Sequence, residues 1–158
     1  MVQPKIKLKP VVTRRMRGVA ESPTVTALYA RDIMDVSDEP VERGGTNEGF
    51  APIEYVLGGL IACTNVISHK IADVNGFTID AMEIGLEAKF NTMGVTLQEQ
   101  IKVPFPEIKL KIDVTTVANE EQQEVLRRDL PKFCAVANII RQSGTNIIEE
   151  WTFNRPSA

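Results

Sequence analysis

Apolar and polar positions divide this chain into a strand-rich first third and a longer part in which helices and strands alternate. Period-two alternation predicts the strands, and apolar residues spaced three and four apart predict the helices. The predicted elements are strands at 10–17, 24–29 and 31–36, a glycine-rich loop at 41–52, a helix at 53–74, strands at 77–90 and 107–117, helices at 119–130 and 134–142, and a strand at 146–153. This order indicates an α+β domain with a mostly antiparallel sheet.

The helix predicted at 53–74 is apolar or small on nearly every side between Val56 and Cys63. A helix that is apolar all round is a buried one. Gly58 and Gly59 each cost about 1 kcal/mol of helix propensity, which predicts that another backbone approaches them closely. One small chain offers too few layers to cover such a helix, so we expect an obligate homodimer.

Composition narrows the class of protein. The 158 residues suit one domain, with strands and loop at 1–50 and the cysteine-bearing helices and sheet at 51–158. The formal net charge is -3, which predicts neither a nucleic-acid partner nor a membrane partner. Two short basic runs are interpreted as the solvated sides of strands. They are Lys5, Lys7 and Lys9, and Arg14, Arg15 and Arg17.

The sequence contains no stretch of about 20 apolar residues and no apolar core of a signal peptide, so we expect a cytoplasmic protein. Its two cysteines, Cys63 and Cys134, do not make a disulfide scaffold. No CxxC, HExxH or GxGxxG motif occurs, and we expect no metal and no cofactor. The single histidine, His69, is six residues from Cys63 and turned well away from it along the helix.

Each cysteine has two interpretations. Cys63 is either a small buried hydrophobe or a nucleophile. Cys134 is predicted near the first turn of the last helix, where amide dipoles lower the pKa of a thiol. Two thiols on separate helices fit a peroxidatic and resolving pair, and they equally fit coincidental packing.

The stretch RGGTNEGFAPIEYVLGGLIACT resembles the signature of the OsmC/Ohr family, the osmotically inducible protein C family. The resemblance continues through DVNGFTIDAMEIGLEAKF and FPEIKLKIDVTTVA to LPKFCAVANIIRQSG, and covers the chain from about Asp38 to Phe153. It implies an OsmC-like fold, an intertwined dimer with long central helices packed between sheets. It also implies reduction of organic hydroperoxides or hydrogen peroxide, with Cys63 as the peroxidatic and Cys134 as the resolving cysteine. A lipoylated protein or another dithiol would be the reductant, and no metal, flavin or haem would be needed.

The chain departs from the family pattern at two places. Where characterised peroxidases have an acid directly after the helix-opening proline, this chain has Ile53, and the acid follows at Glu54. Cys134 is followed by alanine where the family usually has proline. Glu54 precedes Cys63 by nine residues, roughly 13 Å along a helix and on its opposite face. Only Glu54 of the partner subunit could therefore approach Cys63, and a helix-capping acid is the other interpretation of Glu54.

The family also uses an arginine to activate the thiol. The candidates are Arg17, Arg15, Arg31 and Arg43. Arg17 is favoured, although each of the four also fits an ordinary surface charge.

Three functions follow as hypotheses. The leading one is a thiol peroxidase that forms a Cys63 sulfenic acid and then a Cys63–Cys134 disulfide. The alternative is a non-catalytic dimer that binds a small apolar ligand at the dimer interface. The third is a structural, stress-associated dimer without a small-molecule role.

Overall fold

The structure, a computed structural model, describes residues 10–157, which form two compact units divided between Tyr55 and Val56. The N-terminal unit contains an antiparallel sheet in the order β1-β2-β3. Its elements are β1 (Arg17–Ala20), β2 (Thr26–Ala30), β3 (Ile33–Ser37), a 3-10 turn (Val41–Arg43) and the first turn of α1 (Pro52–Val74).

The C-terminal unit contains the rest of α1 and a second sheet in the order β4-β5-β6. Its other elements are β4 (Ala81–Lys89), β5 (Glu107–Thr115), α2 (Glu120–Phe133), α3 (Ala135–Gln142) and β6 (Asn146–Asn154). β4 and β5 are antiparallel, whereas β5 and β6 are parallel because α2 and α3 carry the chain back between them. The predicted α+β class with mostly antiparallel sheet is confirmed.

The core of the C-terminal unit is built on one face of β5. Its inward side chains, Ile108, Leu110, Ile112 and Val114, are at most 1% exposed. They alternate with outward charged residues, so one face of the strand meets the core and the other meets solvent. Burying each such side chain contributes on the order of 1.5–3 kcal/mol.

The loop before α1 is held against the strand that precedes it. A Cβ on Gly49 would lie 1.9 Å from the Val36 carbonyl oxygen, so this close approach admits only glycine. The Ser37 hydroxyl donates to the Phe50 carbonyl at 3.0 Å, and the Tyr55 hydroxyl donates to the Val36 carbonyl at 2.8 Å. These contacts fix the point at which α1 begins.

The strand predicted at 10–17 was wrong. The first strand begins at Arg17 and runs through Gly18, which was expected to break it. Its partner β2 ends at Ala30, one residue after Tyr29, the partner of Arg17, so the residues before Met16 have no strand to pair with. The interpretation of Lys5, Lys7 and Lys9 as strand residues lies outside the described part of the chain.

The interruption predicted at Pro131 was also wrong, because α2 continues through Pro131 to Phe133. Proline lacks an amide donor, so Pro131 removes one hydrogen bond from the helix. The helix tolerates this loss because it ends only two residues later, at Phe133. The Cys134 amide then donates to the Leu130 carbonyl at 3.0 Å and closes the helix. Over residues 10–157, no helix has both the length and the apolarity needed to cross a bilayer.

Candidate functional site

Helix α1 places Cys63 at the edge of its buried face. Leu60 and Thr64, on either side of Cys63, are 0% and 1% exposed, whereas the Cys63 side chain is only half-buried. The thiol therefore packs against the C-terminal unit and still retains access from outside the chain.

Cys134 occupies a different kind of position. It is the single residue between α2 and α3, has an extended backbone and caps both helices. Its sulfur accepts a hydrogen bond from the Ala137 amide at 3.4 Å, and the residue is 0% exposed. The prediction that Cys134 lies at the start of the last helix is confirmed.

The fold brings the two thiols together. Burial, first, and the adjacent Cys63 thiol, second, raise the pKa of the Cys134 thiol from 9.0 to about 11 against the opposing effect of the Ala137 amide. The amides of Ala137 and Val136 at the start of α3 do lower this pKa, but desolvation outweighs them, so the expectation of a lowered pKa was wrong. Both cysteines are free thiols, and Cys134 is neutral near pH 7.

Helix α1 approaches α3 beside the thiols. A Cβ on Gly59, one turn before Cys63, would lie 4.0 Å from the Val136 Cγ1. A Cβ on Gly58 would have no described neighbour within 4 Å. Within residues 10–157, no backbone comes as close to these two glycines as predicted.

An apolar groove of about 580 Å³ begins one helical turn beyond Cys63. Four apolar side chains supply most of its wall, with Lys70, Asn75 and Asp129 at its polar positions. The apolar residues are Ile67, Ile71, Val74 and Phe133. Neither cysteine lines the groove, which reaches Ile67 on α1, four residues after Cys63, and Phe133, the residue before Cys134.

Glu54 has a local role at the start of α1. Its carboxylate Oε2 accepts a hydrogen bond from the Ala51 amide at 2.8 Å, and the Ala51 carbonyl accepts from the Glu54 amide at 2.8 Å. These two bonds tie the third helical residue back to the residue before the helix, as in half of a capping box. The geometry within the chain thus matches the helix-capping interpretation.

The four candidate arginines all belong to the N-terminal unit. The Arg17 guanidinium lies 4.2 Å from the centre of the Tyr29 ring, and Arg43 pairs with Glu39 at 3.6 Å. Arg15 and Arg31 line a shared cavity. Within the described part of the C-terminal unit, no charged side chain hydrogen-bonds to either sulfur.

The His69 ring contacts its own helix rather than either cysteine. Its Nδ1 lies 3.0 Å from the Asn65 carbonyl oxygen, four residues earlier on the same helix. Among residues 10–157, no group of three or more His, Cys, Asp and Glu side chains is arranged to hold a metal ion.

Sequence reasoning missed the structural role of Asp38, whose carboxylate is 0% exposed and organises the glycine-rich loop. It accepts hydrogen bonds from the Glu39 amide, the Thr46 amide and hydroxyl, and the Glu48 amide, at 2.7–3.2 Å. Burial alone would raise the pKa of Asp38, but the bonds from Thr46 and Glu48 outweigh it and hold the pKa well below its usual range. The only hint in the sequence was an acid at the start of a turn.

A profile of the family described as OsmC-like protein matches residues 45–150. This chain belongs to the OsmC-like family. No curated protein sequence matches it.

Solved structures share its fold. An OsmC-like protein from Mycoplasma pneumoniae has a TM-score of 0.76 at 18% identity, over 90% of this chain and 98% of that one. An organic hydroperoxide resistance protein from Elizabethkingia anophelis has a TM-score of 0.64 at 16% identity, covering 94% and 100%. One from Legionella pneumophila has a TM-score of 0.60 at 15% identity, covering 92% and 99%. At these identities the likeness establishes the OsmC-like fold.

Proposed function

We propose that this OsmC-like protein is a thiol-dependent peroxidase that reduces organic hydroperoxides or hydrogen peroxide. The observation that carries the proposal is the adjacency of two free thiols, a half-buried Cys63 and a fully buried Cys134. The hydroperoxide resistance proteins that share the fold support it.

In the first step the Cys63 thiolate attacks the terminal oxygen of the peroxide. A sulfur–oxygen bond forms and the oxygen–oxygen bond breaks, so Cys63 is oxidised to the sulfenic acid level and the peroxide is reduced. The leaving oxygen takes up a proton and departs as an alcohol, or as water when the substrate is hydrogen peroxide.

In the second step the Cys134 sulfur attacks the Cys63 sulfur. The disulfide bond forms, the sulfur–oxygen bond of the sulfenic acid breaks, and the Cys134 proton leaves with the hydroxyl as water. Because its pKa is raised to about 11, Cys134 stays protonated near neutral pH and does not compete for peroxide. An external dithiol, free or on a lipoylated protein, then reduces the disulfide by thiol exchange.

A homodimer completes the proposed site. The exposed side of α1 carries Val56, Val66 and Val74, which are 44%, 48% and 84% exposed. Apolar side chains left exposed along one helix are suited to contact with a second chain. In the dimer, Glu54 of the partner subunit and an N-terminal arginine would stabilise the Cys63 thiolate. A chain that stays folded and monomeric at low micromolar concentration in sedimentation would refute this arrangement.

The direct test compares the oxidation of Cys63 by cumene hydroperoxide and by hydrogen peroxide. We expect both to oxidise the wild-type protein faster than they oxidise free cysteine, with the organic peroxide ahead because an apolar groove begins one helical turn beyond Cys63. Reduction of the resulting disulfide by dihydrolipoamide and by a monothiol would identify the class of reductant.

A second candidate function is binding of a small apolar ligand, which the groove of about 580 Å³ favours. Cavities of this size and lining accept drug-sized ligands. Native mass spectrometry of protein purified without detergent would detect a bound ligand. Two results together would favour binding over catalysis. The ligand would be absent from the Phe133→Ser variant, and the thiols of the wild-type protein would react with peroxide no faster than free cysteine.

A further inference from the structure

Three arginines of the N-terminal unit lie around one cavity. Arg14, Arg15 and Arg31, here called the arginine patch, line a cavity of about 600 Å³ together with Thr13, Met16 and Ala30. Arg31 holds a left-handed backbone, with φ of 58°, in the turn between β2 and β3. The turn and the segment before β1 therefore present their guanidinium groups to the same space.

Within the described residues, no ion pair joins any member of the arginine patch to an acid. Several arginines of the C-terminal unit are paired with acids. Arg128 lies 2.7 Å from Asp129, and Arg141 lies 2.8 Å from Glu149. A cluster of unpaired like charges repels itself, so an external anion would stabilise it.

Charge is also segregated along the sequence. Six of the 18 basic residues lie in positions 1–20, and all 21 acidic residues follow them. The net charge of -3 averages these two regions and hides the difference. Such asymmetry is typical of chains whose basic segment contacts an anionic partner.

The same segment exposes aliphatic side chains. Val11, Val12 and Met16 are 85%, 56% and 70% exposed. Positions 1–20 contain no aromatic residue, whereas proteins that bind single-stranded nucleic acid stack bases on aromatic rings. Cations interleaved with aliphatic residues instead suit the boundary between lipid headgroups and acyl chains.

We propose that the arginine patch and its neighbouring aliphatic side chains dock the N-terminal unit reversibly on an anionic phospholipid surface. The guanidinium groups would bind headgroup phosphates, and the three aliphatic side chains would enter the interface. This proposal differs from the expectation, drawn from net charge and from the shortness of the basic runs, that the protein has no membrane partner. The inference does not depend on the proposed peroxidase activity.

The test is sedimentation with vesicles of phosphatidylcholine alone and of phosphatidylcholine with phosphatidylglycerol. We expect the wild-type protein to bind only the anionic vesicles at low salt and to be released at high salt, because the attraction is screened within a Debye length. The double variant Arg14→Glu/Arg15→Glu should bind at least about 30-fold more weakly, since each basic residue near an anionic surface is worth roughly fivefold.

The matched control is Lys102→Glu/Lys132→Glu, which changes the net charge equally but lies in the C-terminal unit. Its vesicle binding should stay within about twofold of wild type if attraction to the surface is local to the patch. Equal weakening in the control, binding to neutral vesicles, or no vesicle binding at low salt would each overturn the proposal. Circular dichroism shows whether each variant is folded, and a parallel titration with polyuridylic acid would reveal a nucleic-acid partner instead.

Discussion

Two cysteines of the same unit occupy opposite backbone settings. Cys63 lies inside the uninterrupted helix α1 and is half-buried, whereas Cys134 forms the break between α2 and α3 and is fully buried. The Ala137 amide donates a hydrogen bond to the Cys134 sulfur. The pKa of the Cys134 thiol is raised to about 11, mainly by burial. Two residues of the same type are therefore assigned different proposed roles. Cys63 is proposed to attack because it is accessible, and Cys134 is proposed to resolve because it is buried and protonated at neutral pH.

The largest expected effect comes from replacing the accessible thiol. Cys63→Ser should reduce turnover of cumene hydroperoxide to the rate of buffer alone, because serine lacks a thiolate at neutral pH. The measurement is peroxide consumption in the presence of a dithiol. Turnover that persists in this variant would show that Cys134 can attack peroxide and would break the assigned division of roles.

Cys134→Ser should separate attack from resolution. We expect a single oxidation event at Cys63 followed by a stall, because no second thiol condenses with the sulfenic acid. A dimedone-type probe with mass spectrometry should find about one label per chain in this variant and far less in wild type. Continued turnover with the same dithiol would mean that the external thiol resolves Cys63 directly.

Alkaline titration tests the environment of Cys134. The pKa of the Cys134 thiol is 9.0 in the unfolded chain and about 11 in the folded protein. As the pH rises, the unfolded state therefore loses this proton before the folded state does. Folding stability should therefore fall by up to about 2–3 kcal/mol as pH rises from 9 to 11.

The control for this titration is Cys134→Ser, whose stability should fall less over the same pH range. Urea unfolding at pH 8, 9.5 and 11 measures the difference between the two proteins. Parallel curves would show that Cys134 is not desolvated in the fold.

Gly59→Leu probes the spacing between α1 and α3. A leucine there meets Val136, so we expect a loss of roughly 1–3 kcal/mol of stability from overpacking and slower formation of the disulfide. Gly58→Leu separates crowding within the chain from crowding by the partner subunit, since a Cβ at Gly58 has no described neighbour within 4 Å. An equal loss in Gly58→Leu would indicate that a second chain covers Gly58.

The long elements were predictable because their periodicity is strong. Helix α1 ends at Val74 as expected, and the alternation along β5 matches its buried and exposed faces. The extent of β1 was not predictable from its own residues, since it depends on where β2 ends. The continuation of α2 past Pro131 was not predictable either, since it depends on the helix being capped at Cys134, three residues after the proline.

The candidate site was predictable only in part. Sequence pattern placed Cys63 and Cys134 on separate helices, and the family resemblance paired them. The direction of the Cys134 pKa shift was missed, because desolvation depends on packing that no local pattern reveals. Asp38 was missed for the same reason, since its hydrogen-bond donors lie up to ten residues further along the chain.

The most direct test of the central claim is the second-order rate constant for oxidation of wild-type Cys63 by cumene hydroperoxide at neutral pH, measured against free cysteine. We expect a faster reaction than that of free cysteine, followed by a Cys63–Cys134 disulfide detectable by mass spectrometry. A rate equal to or below that of free cysteine would contradict it and would leave Cys63 as a packing residue of α1.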